Sequence, residues 1–239
     1  MALDDQSKGP LLMASIDGPR LAPKSGRAQQ LVVFLHGLGA DGNDLIELGQ
    51  QWRDWLPDAA FVAPHAPDAC EGAPMGRQWF PLTLRDPREF WRGVTYGAPR
   101  LEAFLDRELA RHGLPAARLA LVGFSQGAMM ALHVGLRRPT APAAILGYSG
   151  LLVLEDGRGP ESLTTAARSK PPILLVHGDR DEVVPIEMFF FSKEALAGAE
   201  IPCQWHLSPG IGHGIDGGGL RHGGLFLAQA FGLPHPPEG

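Results

Sequence analysis

A chain of 239 residues with 44% hydrophobic and 20% charged residues has the composition of an ordinary globular protein, which excludes a disordered or coiled-coil chain and suits one domain over the whole length, 1–239. The net charge of −5, with 21 Lys+Arg against 26 Asp+Glu and no basic run, offers no cationic field for a phosphate backbone, so nucleic acid is not an expected partner. The two cysteines, Cys70 and Cys203, fit no Cys-x-x-Cys or metal spacing and read as free thiols; the stretch from Met1 to Pro23 has no apolar run for a signal peptide or membrane insertion, so a cytoplasmic location is expected.

Residues 1–26 read as an N-terminal extension in which Leu11 to Ile16 is an antiparallel edge strand. Short apolar runs bounded by Gly, Pro or Asp then predict buried parallel strands over Leu31 to Leu35, Ala60 to Ala63, Leu119 to Val122, Ala144 to Leu146 and Ile173 to Val176, with Cys203 to Leu207 as a sixth. Helical spacing falls between them, over Asp44 to Trp55, Pro99 to His112, Gly127 to Arg138, Ile186 to Ala197 and Leu220 to Phe231. Strands alternating with helices predict an α/β fold, a mostly parallel sheet with helices on both faces. One segment breaks the rhythm. Residues 64–98 are rich in Pro and Gly and carry Trp79, Phe80, Phe90, Trp91 and Tyr96, so they read as a long loop forming a pocket wall.

Gly123-Phe124-Ser125-Gln126-Gly127 directly follows a predicted strand and opens a predicted helix, the context of a nucleophile elbow. Small residues are needed at both ends because the turn is sharp, and the turn places the Gln126 N–H at a helix N-terminus, where it can hold a developing oxyanion. Serine is a weak nucleophile at neutral pH and needs a base held by an acid, in the chain order Ser, Asp or Glu, His on such a fold. Among the later histidines, His213 stands in a glycine-rich loop after the last strand and is the best candidate base, since His133 and His206 lie within predicted elements, His177 precedes the acid segment, and His235 lies in a Pro-rich tail. The acid falls in His177-Gly178-Asp179-Arg180-Asp181-Glu182, where chain order does not separate Asp179 from Asp181. No second cluster of histidines or carboxylates supports a metal, and no cofactor is called for.

Leu35-His36-Gly37-Leu38-Gly39-Ala40-Asp41-Gly42, the Ser125 segment, the segment from His177 to Pro185, and Gly212-His213-Gly214-Ile215 together resemble, in order, the phospholipase/carboxylesterase family of α/β hydrolases, which includes acyl-protein thioesterases and bacterial carboxylesterases. That resemblance implies an α/β-hydrolase fold and a cofactor-free serine hydrolase acting on small-molecule esters, thioesters or lysophospholipids. It selects Asp181 as the acid, assigns the oxyanion donors to the backbone N–H groups of Leu38 and Gln126, and places Trp79, in Arg77-Gln78-Trp79-Phe80, beside the substrate pocket. Some thirty residues before the first strong strand and a longer excursion at 81–97 depart from the family. Gly217-Gly218-Gly219 predicts that the last helix starts late.

Two other readings carry less. Gly37-x-Gly39-x-x-Gly42 matches a dinucleotide fingerprint, yet Pro64-His65 follows the next strand where an acid for a ribose hydroxyl belongs, and NAD would leave the serine, aspartate and histidine segments unexplained. A non-catalytic ligand-binding member of the fold is the other, because fold alone does not establish activity. Oligomeric state is not written in the sequence, and a homodimer is left open.

Overall fold

The computed structural model describes residues 16–70, 72–83, 86 and 88–234. Strands β1 (Arg20–Leu21) and β2 (Gln30–Leu35) lead into helix α1 (Gly42–Trp52) and strand β3 (Ala59–Val62). Two short strands, β4 (Asp68–Ala69) and β5 (Arg77–Gln78), pair with each other ahead of α2 (Glu89–His112). The chain continues through β6 (Leu119–Phe124), α3 (Gln126–Arg137), β7 (Ala144–Tyr148), the short α4 (Ser162–Ala166), β8 (Ile173–Gly178), α5 (Ile186–Gly198), β9 (Cys203–Ser208) and α6 (Gly217–Ala230).

The main sheet runs β1-β3-β2-β6-β7-β8-β9, with β1 antiparallel to β3 and every other neighbouring pair parallel. Residues alternate between its faces, so buried strands read as unbroken apolar runs. Leu31, Val33, Leu121 and Leu175 pack with Leu101 and Phe104 of α2, Met130 and Leu132 of α3, and Leu196 of α5. On the opposite face Val32, Phe34, Val122 and Val176 meet Leu45 and Trp52 of α1 and Phe226 and Leu227 of α6. Helices therefore cover both faces, and each buried Leu or Phe contributes about 1.5–3 kcal/mol relative to exposure.

Two expectations need correction, and a third lies mostly outside the described residues. The antiparallel edge strand is Arg20–Leu21; the predicted Leu11 to Ile16 strand lies outside the described residues except for Ile16, which is not in a strand. Helix α2 begins ten residues before Pro99, which stands inside it. Gly93 and Gly97, which look like loop punctuation, are packing devices: a Cβ on Gly93 would lie 2.2 Å from the Phe80 ring, and one on Gly97 would lie 2.9 Å from Met130 Cε. Helix α6 does not start late. Its first turn is the triple glycine, capped by Asp216, which accepts from the N–H groups of Gly218 and Gly219 at 3.1 and 3.0 Å. A Cβ on Gly219 would lie 2.8 Å from Val176 Cγ1, so the glycine lets the helix approach β8. Cys70 and Cys203 are not joined by a disulfide.

Candidate active site

Ser125, Asp181 and His213 follow β6, β8 and β9, all at the carboxyl edge of the sheet, the edge where open α/β folds place their sites. Ser125 sits between β6 and α3 with φ 53° and ψ −118°, a conformation that a side chain rarely adopts. The flanking glycines make that turn sterically feasible: a Cβ on Gly123 would lie 2.3 Å from the Gly127 carbonyl oxygen, and one on Gly127 would lie 1.9 Å from the Leu35 carbonyl oxygen. Helix α3 thus starts against the end of β2. There the N–H groups of Leu38 and Gln126 find no acceptor among the described residues.

The loops bearing Asp181 and His213 are zipped together. Gly178 has no room for a Cβ, which would meet the Ile211 carbonyl oxygen at 2.3 Å, and the Arg180 N–H donates to that carbonyl at 2.9 Å. Asp179 accepts from the Gly210 N–H at 2.6 Å. Asp181 Oδ1 accepts from the N–H groups of Val183 and Val184 at 2.9 and 2.8 Å, and its Oδ2 accepts from His213 Nδ1 at 2.8 Å. Burial alone would raise the Asp181 pKa, but the Val184 N–H, the His213 bond and the Val183 N–H together hold it below the ordinary value, so the carboxylate stays ionised. With Nδ1 donating to Asp181, the proton-free nitrogen of a neutral His213 is Nε2. The imidazole packs against the Phe124 ring at 4.9 Å between centroids.

Ser125, Leu38 and His213 all line a cavity of about 470 Å³, whose remaining walls are mostly apolar, from Leu82, Phe90, Met129, Leu151, Val183 and Met188. Leu38, 43% exposed, stands at its rim. Of the residues at 64–98, Leu82 and Phe90, the latter on the first turn of α2, belong to this wall, but Trp79 does not. Its ring is 0% exposed, and its indole N–H donates to the His36 carbonyl at 2.9 Å, so it props up the loop carrying Leu38 from below.

Motif reading does not show what several neighbouring side chains hold in place. The Gln126 side chain accepts from the Trp79 N–H at 2.8 Å and donates to the Phe80 carbonyl at 2.9 Å, tying the excursion to the elbow. His36 Nε2 accepts from the Ala66 N–H at 2.9 Å, so Nδ1 carries the proton and donates to the Gly37 carbonyl at 2.8 Å; burial lowers its pKa and keeps it neutral. His177 donates from Nε2 to the Val184 carbonyl at 2.8 Å, bracing the turn whose N–H groups hold Asp181. Ser149, at φ 46°, donates to the Gly214 carbonyl beside His213 at 3.4 Å. His36, Gln126 and His177 stand inside the quoted motifs, but the sequence does not name the groups their side chains meet, and Ser149 belongs to no motif. Among the described residues no group of three His, Cys, Asp or Glu could hold a metal ion. None of their helices is long and apolar enough to cross a membrane.

A model of the family described as Phospholipase/Carboxylesterase matches residues 17–230. An acyl-protein thioesterase 1 from Gibberella zeae is 29% identical over 209 residues, covering 82% of this chain and 88% of its own. One from Schizosaccharomyces pombe is 34% identical over 159 residues, covering 64% and 69%. Among solved structures, esterase PE8 is 46% identical, covers 90% of this chain and 99% of its own, and superposes with a TM-score of 0.85.

Proposed function

The chain belongs to the phospholipase/carboxylesterase family and is a hydrolase of the α/β-hydrolase fold, and on that premise we propose that it is a carboxylic ester hydrolase using Ser125 as nucleophile, His213 as base and Asp181 as the acid that orients it. The observation that carries this reading is Asp181 gripping His213 Nδ1 in a cleft that His213 shares with a strained Ser125. Ser125 Oγ attacks the ester carbonyl as His213 Nε2 takes its proton, and the carbonyl oxygen becomes an oxyanion held by the N–H groups of Leu38 and Gln126. Collapse of that intermediate breaks the bond to the leaving alcohol, to which His213 returns the proton. Water, deprotonated by the same nitrogen, then cleaves the acyl-enzyme and frees the acid and Ser125. This sequence needs no cofactor.

The apolar cavity is suited to an acyl chain of short to medium length. The relatives named acyl-protein thioesterases bring thioesters into the same substrate class, since a thiolate leaves from the same tetrahedral intermediate. Hydrolysis of a p-nitrophenyl acyl ester series by the wild type and Ser125→Ala, with mass analysis after a fluorophosphonate, tests the reading. The expected result is turnover and one adduct on Ser125 in the wild type and neither in the variant; folded wild type that neither turns over nor labels overturns it and favours a ligand-binding protein.

A further inference from the structure

The cleft around Ser125 has a second limb. A cavity of about 350 Å³ opens beneath α1 and shares Ser125, His213 and Leu38 with the apolar one, its other walls including Phe124, Leu45, Leu48 and Asp44. The two limbs differ in charge. Apart from His213, the apolar limb has no ionisable side chain among its lining residues, whereas the limb under α1 carries the Asp44 carboxylate. Asp41, three residues earlier, is committed to capping α1 by accepting from the Asn43 N–H at 2.7 Å. Asp44 makes no side-chain hydrogen bond or ion pair with the described residues and is exposed. A carboxylate with no cation beside it, in a cavity containing the attacking serine, acts on the charge of whatever enters.

A leaving group has to lie within reach of the imidazole that protonates it, and His213 lines this limb. An acyl chain buries better against the Met and Leu walls of the other. Resting on the hydrolase reading above, we propose that the limb beneath α1 receives the alcohol or thiol side of the substrate and that Asp44 makes it select leaving groups bearing a positive charge, such as an ammonium, over neutral ones. Asp44 also stands in the first turn of α1, where an acid favours the helix dipole. That role alone would alter stability but would give no dependence on leaving-group charge.

The test compares butyrylthiocholine with the thiobutyrate of its uncharged carbon isostere, 3,3-dimethylbutane thiol, so that the acyl limb is filled identically. Wild type is expected to show a kcat/KM about three- to fivefold higher for the cationic ester at low ionic strength, as befits one partly exposed charge pair, and salt should erode the preference. Asp44→Asn should lower the cationic-to-neutral ratio to that set by the intrinsic reactivity of the two thioesters, which hydroxide hydrolysis gives, while holding kcat/KM for the neutral ester within about twofold, because only the electrostatic contribution is removed. Asp44→Glu, which retains the charge, should keep it. A wild-type ratio no higher than that of hydroxide hydrolysis, or a ratio that Asp44→Asn leaves unchanged, overturns the proposal. If Asp44→Asn fails to fold, the wild-type salt dependence and the Asp44→Glu variant still decide. Failure of both esters and of p-nitrophenyl esters, with no fluorophosphonate label on Ser125, instead overturns the hydrolase reading beneath it.

Discussion

Asp179 and Asp181, two residues apart after β8, hold different parts of one loop: Asp179 accepts from the Gly210 backbone at 2.6 Å, while Asp181 accepts from the His213 imidazole at 2.8 Å. The two carboxylates should respond differently to amide substitution. Asp181→Asn keeps an oxygen for the Val183 and Val184 N–H groups but turns an NH₂ toward His213, which drives the imidazole proton onto Nε2 and removes the base. We expect kcat to fall by about 10³- to 10⁴-fold with KM little changed, the size seen when a triad acid is neutralised. Asp179→Asn retains an acceptor for Gly210 and should stay within about tenfold of wild type on the criterion that it touches no reacting atom. Steady-state kinetics on one p-nitrophenyl ester check both, and an inversion of the two effects would reassign the acid.

Gln126→Ala leaves two buried backbone groups, the Trp79 N–H and the Phe80 carbonyl, without the partners they now have. At about 1–3 kcal/mol for each buried polar group left unsatisfied, the fold should lose about 2–6 kcal/mol in urea titration. The backbone N–H of residue 126 remains, so residual activity at low temperature should persist. A variant as stable as wild type would show that the clamp carries little.

His133 is buried on α3 with no hydrogen-bond partner for Nδ1, and burial, with the Arg137 charge adding to it, pushes its pKa down to about 3. Its folded value lies below the unfolded one near 6.5, so its contribution to stability is full above about pH 6.5 and is lost as pH falls. The slope from this group is half of about 1.4 kcal/mol per pH unit at pH 6.5 and approaches that limit by about pH 5. Urea titrations across that window should give His133→Leu a pH slope shallower by about this amount. Equal slopes would mean that the imidazole protonates without unfolding.

Met188, on the first turn of α5, faces the apolar limb of the cleft and is 36% exposed. Met188→Trp should narrow that limb without opening a cavity in the core. The ester series should then peak at a shorter acyl chain, with kcat/KM for the longest good substrate reduced about tenfold or more, the usual cost of excluding a methylene or two. An unchanged profile would place the acyl chain elsewhere.

The residues at 119–127, 173–181 and 210–214 determine by themselves where the chain makes strands, where it turns sharply, and the order of the proposed nucleophile, acid and base, because periodicity and local sterics act over a few neighbours. Leu31 to Leu35 is legible as a buried strand for the same reason. The choice between Asp179 and Asp181 could not be read from spacing, since both carboxylates follow one strand end and differ only in which atom of a distant loop they face. The early start of α2 and of α6 was hidden because Gly93, Gly97 and Gly219 have a low local preference for helix, which tertiary packing overrides where a side chain would clash with Phe80, Met130 or Val176. Trp79 looked like a pocket residue, yet the fold buries it beneath His36, and Gln126, recognised only for its backbone, holds the two segments together through its side chain. The unpaired charge of Asp44 likewise enters the cavity that Ser125 lines only once α1 has packed against the sheet. Each of these is a contact between segments remote in sequence, set by packing across the carboxyl edge of the sheet, and no local pattern encodes it.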